Sequence, residues 1–68
     1  MYQIIGVQRN QQQRLVATPD SARAALTHYR AAQKLFTRII INAPGGEEID
    51  GFELNRRAEA ERKEAEGA

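Results

Sequence analysis

The sequence predicts an α+β fold with the order ββαββα, a four-stranded, mostly antiparallel sheet with two helices packed on it. Three observations carry that prediction. Arg38–Leu54 holds three consecutive β-branched residues (Ile39, Ile40, Ile41), a Pro44-Gly45-Gly46 turn and an Asp50…Glu53 pair at capping-box spacing, all in order. Apolar residues recur at helical spacing from Ala22 to Phe36. Ahead of them, two short apolar runs flank a wholly polar loop.

Tyr2–Val7 is the first strand, with Tyr2 and Ile4 on one face and Ile5 and Val7 on the other. Gly6 inside it marks a bulge or a close backbone approach. The polar run Arg9–Arg14 makes a hairpin loop, and Leu15–Thr18 returns as an antiparallel second strand, because the connection is too short for a crossover.

Thr18, Pro19 and Asp20 read as a helix start: an N-cap, a residue suited to the first helical position, and a charge that favours the positive end of the dipole. The spacing predicts a helix to about Phe36 that buries Ala22, Ala25, Leu26, Tyr29, Ala32 and Phe36. Arg23, Thr27, Arg30 and Lys34 then point to water. Ala24, His28, Ala31 and Leu35 form a third strip on which another helix can rest.

The isoleucine run is the third strand, read as buried on both faces because no polar residue interrupts it. Pro44 sets the corner of the turn and Gly45 takes a positive φ beside it. A two- or four-residue loop sets Ile40 opposite Ile49 in the return strand Glu47–Ile49. The second helix starts near Gly51 or Phe52 and runs to about Glu66, anchored by Phe52, Leu54 and Ala58. Glu53→Arg57 and Glu59→Lys63 have the favourable i, i+4 order. Beyond Ala60 there is little to bury. The expected organisation is therefore one compact domain over residues 1–60 and a polar, fraying helix end over 61–68.

The absence of cysteine excludes disulfides and thiolate metal sites. The residues after Met1 do not resemble a secretory leader, and no apolar run is long enough to span a membrane, so a cytoplasmic protein is expected. Charge is uneven. From Met1 to Ala43, six cations face Asp20 alone, a balance of +5; from Pro44 to Ala68, four cations face eight carboxylates, a balance of −4. Such polarity suits an acidic partner, or a second copy of the chain.

No constellation of catalytic residues emerges. His28, the only histidine, has alanines and Leu35 at helical spacing and no carboxylate beside it. Ser21, the only serine, is accounted for by helix capping, and a triad with His28 and Asp50 would need His28 to point back two turns along its own helix. Glu47, Glu48 and Asp50 lack the alternation of a calcium loop, and the Pro-Gly-Gly turn lacks the lysine of a phosphate loop. No enzyme activity, cofactor or metal is expected. The expectation is a small protein-interaction or homodimeric adaptor protein that binds itself or another protein. Its dimer face would carry Tyr2 and Ile4, left over on the sheet side without helices. The alternative is a nucleic-acid-binding module, or one for an acidic partner, using Arg9, Arg14, Arg23, Arg30 and Lys34.

Overall fold

The computed structural model describes residues 1–67. Six elements follow one another: β1 (Gln3–Val7), β2 (Gln13–Ala17), α1 (Ala22–Ala32), β3 (Arg38–Asn42), β4 (Glu48–Ile49) and α2 (Gly51–Gly67). The strands form one sheet in the order β2-β1-β3-β4, and all three pairings are antiparallel. The ββαββα expectation is met.

The first hairpin closes through Gln8 N–H to Gln12 O at 2.9 Å, with Gln11 at φ 72° and Asn10 Oδ1 accepting from Gln12 N. Ile5 lies opposite Leu15 while Ile4 lies opposite Ala17, so Val16 is the extra residue of a bulge in β2. Gly6 therefore marks no bulge. It marks a close approach: a Cβ there would lie 2.5 Å from the Phe36 ring.

The helix start expected at Thr18 falls three residues later. Tyr2 N–H donates to Pro19 O at 2.8 Å, tying the 18–20 segment to the start of β1. Ser21 then takes the cap, its Oγ accepting from Ala24 N at 3.2 Å. At the other end, α1 stops at Ala32 rather than Phe36. Lys34 N–H bonds back to Ala31 O and Leu35 N–H to Ala32 O, three residues each, which tightens the last turn and brings Phe36 onto Gly6.

Ala43 N–H donates to Glu47 O at 2.6 Å, closing a three-residue loop in which both Gly45 and Gly46 take positive φ, 95° and 91°. An odd loop shifts the pairing by one, so Ile49 lies opposite Ile41 and not Ile40. This corrects the expected register and moves Ile49 to the face that carries Ile4 and Ile41.

Asp50 caps α2 as its spacing predicts, Oδ1 accepting from Glu53 N at 2.8 Å. The reciprocal half of the box is replaced, because Arg56 and Arg57 hold the Glu53 carboxylate at 2.6 to 2.9 Å. Helix α2 runs antiparallel to α1: Gly51 sits against the Tyr29 ring, and Glu61 meets the first turn of α1. Glu61 Oε2 accepts from Ala22 N at 2.8 Å and Oε1 from Arg23 N at 3.1 Å. The boundary expected after Ala60 is thus crossed by a tertiary contact, and α2 stays helical to Gly67. Residues 62–67 are exposed; Ala68, the last of the expected fraying end, lies outside the described residues.

Both helices cover the same side of the sheet. The core there consists of Tyr2, Ile4, Ala22, Ala25, Ile41, Ala43, Leu54 and Ala58, with Leu26, Tyr29, Ile39 and Ile49 packed around it. Phe52, expected to anchor α2, instead stands 80 % exposed, and Leu54 and Ala58 carry the packing.

Candidate functional site: the open face of the sheet

Side chains alternate across a sheet, so the residues that pair with Ile4 look towards the helices and those that pair with Ile5 look away. The register then lays out the uncovered face in three rows. Leu15, Ile5 and Ile40 stand side by side in the middle row, across β2, β1 and β3. Gln13, Val7 and Arg38 form the row on one flank. Gln3, Asn42 and Glu48 form the row on the other, where Asn42 Nδ2 donates to Gln3 Oε1 at 3.4 Å. Leu15 is 56 % exposed, Ile5 and Ile40 are half-buried, and Val7 is buried between its long-chained neighbours.

Tyr2 and Ile4, expected on this free face, lie on the covered one, 7 % and 0 % exposed. The inversion has a physical cause. Tyr2 N–H is held by Pro19 O beside the start of α1, and Gly6 on the same face is the one β1 position that leaves room for Phe36. The even-numbered residues of β1 therefore turn inwards. Ile5, Leu15 and Ile40 are the residues that the sequence did not single out; the clue to them is the parity of the Pro44–Gly46 loop and the space that Gly6 provides.

The five basic residues picked from the sequence are all exposed. Arg9 and Lys34 both line a shallow cavity of about 370 Å³, with Gln8, Leu35, Phe36 and Thr37. Arg23, Arg30 and Lys34 follow one another along α1, Arg23 in its first turn beside Glu61 and Lys34 just past its end. Arg14 lies opposite Gly6 on the edge strand β2, away from the uncovered face.

Direct ion pairing among the described residues is confined to the second half of the chain. Among the described residues, every ion pair uses an arginine of α2: Arg56 and Arg57 with Glu53, Arg57 with Glu47, and Arg62 with Glu59 and Glu66. The hydrogen bonds from Arg56 and Arg57 hold the Glu53 carboxyl down at about 2, and the Arg62 bond lowers Glu59. The expected Glu53–Arg57 pair forms; Glu59 turns to Arg62 instead of Lys63. None of the cations before Ala43 has a carboxylate within pairing distance among the described residues.

Among the described residues no group of three or more acidic or histidine side chains is placed to hold a metal, and no helix is long and apolar enough to cross a membrane. His28 is exposed on α1. The chain matches no family model, no curated protein and no solved structure.

Proposed function

We propose that this chain is a small non-enzymatic interaction protein that works as a homodimer through the open face of its sheet. The observation that carries this reading is the Leu15–Ile5–Ile40 row, three large apolar residues abreast on the side that neither helix covers. A contiguous apolar strip rimmed by amides and single charges has the make-up of a contact surface. Its size bears on how firmly two copies can hold. Four strands about 4.8 Å apart and three rows about 7 Å apart give a face of roughly 19 by 21 Å, and stacking two such faces removes on the order of 800 Å² in total. That is below the range of stable specific interfaces and suits a weak, transient association that fills only at high concentration.

Sedimentation velocity tests the reading. The 7.6 kDa chain should shift towards twice that mass between about 10 μM and 1 mM, where an interface of this size begins to hold. Ile40→Lys, which places a charge in the middle row, should remain at 7.6 kDa with unchanged helix content. Wild-type protein that stays monomeric at about 1 mM removes the proposal.

A second reading is favoured by one observation, the unpaired cations of the first half of the chain. Arg9, Arg14, Arg23, Arg30 and Lys34 then serve as phosphate contacts to a nucleic acid, Arg9 and Lys34 together at one end of α1. Binding to random-sequence DNA or RNA that weakens with salt, and is lost on replacing Arg23, Arg30 and Lys34 by Ala, supports it. No binding at low ionic strength eliminates it.

A further inference from the structure

The charges on the open face point to one arrangement of the dimer. We propose that two copies stack sheet against sheet about a two-fold axis that runs along the Leu15–Ile5–Ile40 row, so that Arg38 of each copy meets the Glu48 flank of the other. This rests on the homodimer reading and adds its geometry, which that reading alone leaves open.

The positions leave little choice. A two-fold axis that brings a face onto its own copy lies in the plane between the two sheets. For sheets that pack with their strands aligned, it runs either close to the strand direction or close to across it. An axis across the strands, along the middle row, keeps each strand over its own copy and exchanges the two flanking rows. Leu15, Ile5 and Ile40 then meet themselves, and the Gln13–Val7–Arg38 row faces the Gln3–Asn42–Glu48 row. Arg38 on β3 comes to lie over Asn42 of the other copy, next to its Glu48. An axis along the strands instead lays each flanking row on its own copy. About such an axis between β1 and β3, Arg38 faces Val7, Asn42 faces Gln3 and Glu48 lies over the β2 end, so neither charge meets an opposite one.

Arg38 and Glu48 are exposed and take part in no ion pair among the described residues. Four residues of strand and one strand spacing separate them, about 14 Å, so only a second copy can bring them together. The two-fold makes the contact twice. It also lays Val7 over Gln3 of the other copy, with Gln13 diagonally beside that amide at the rim.

Charge reversal reads the geometry directly. Arg38→Glu and Glu48→Arg should each weaken self-association about tenfold to a hundredfold, since each sets two like charges together on both sides of the axis. Mixing the two single variants should restore association near the wild-type level, because every Arg38 or its replacement then faces a charge of opposite sign. The double variant Arg38→Glu/Glu48→Arg should self-associate like the wild type. Circular dichroism of each variant confirms that the fold is kept. If both single variants associate as the wild type does, or if mixing restores nothing, the axis is wrong while the homodimer reading stands on Ile40→Lys. If the wild type never associates, both fall together.

Discussion

Replacing Glu61 by Ala probes the contact that ties the end of α2 to the beginning of α1. Its carboxylate accepts from Ala22 N at 2.8 Å and Arg23 N at 3.1 Å, two of the four N–H groups that the first turn of α1 cannot satisfy internally. Ser21 Oγ serves a third, Ala24 N. Losing a side-chain cap costs about 0.5–2 kcal/mol, and the negative charge at a helix N-terminus contributes about 0.3–1 kcal/mol of its own. Alanine returns a few tenths as the better helix former. The net loss should be about 1–2 kcal/mol, and for a domain of this length the melting temperature should fall by about 5–15 °C. Urea denaturation followed by circular dichroism at 222 nm measures it. Glu64→Ala, exposed on the next turn, is the control and should leave the midpoint within about 0.3 kcal/mol of the wild type. Glu61→Gln keeps an acceptor but not the charge, and should fall between the two, with less sensitivity to salt than the wild type. A Glu61→Ala midpoint equal to that of Glu64→Ala would refute the interhelical cap.

Two further outcomes follow from packing and from charge. Gly6→Ala drives a methyl to within 2.5 Å of the Phe36 ring, so stability should drop by about 1–3 kcal/mol; Gly6→Ala/Phe36→Leu should recover part of that, and a neutral single variant would disprove the close approach. Glu53, held at about 2 against an ordinary 4.5, stabilises the fold fully above pH 4.5, and that contribution is lost as pH falls from 4.5 towards 2. The arginines that hold it stay charged throughout. Glu53→Gln should therefore flatten the stability profile in that window and leave it unchanged between pH 6 and 8; an identical acid limb would mean that the pair carries no linkage.

Periodicity made most of the architecture legible. Of the expected stripe, Ala22, Ala25, Leu26, Tyr29 and Ala32 pack inwards while Phe36 falls beyond the end of α1, and Asp50 caps α2 where its distance from Glu53 says it should. What the sequence concealed was parity and reach. Whether Ile49 joins Ile40 or Ile41 depends on one residue of loop, and three residues between Ala43 and Glu47 suit the glycines as well as two or four. Which face of β1 turns inwards depends on Phe36, thirty residues away, finding the one strand position without a side chain. The Thr18 cap lost to Ser21 because Pro19 is held by Tyr2, a bond between segments that no local pattern encodes. The candidate site inherits these reversals: Tyr2 and Ile4 exchange places with Ile5 and Leu15. Glu61 looked like one charge among many because its partner is the backbone of another helix.

The bulge at Val16 decides how far association can go. A straight edge strand offers its free amides and carbonyls to any chain that arrives, and pairing of that kind has no natural end. Here one edge, β2, is interrupted at Val16, and the other, β4, is only two residues long. Lateral growth into ribbons or fibrils finds no continuous template on either side. Stacking through the open face, in the dimer proposed above, would instead cover the Leu15–Ile5–Ile40 row in a single event and leave helices on both outer sides. The particle that results is closed, and raising the concentration should fill it rather than lengthen it.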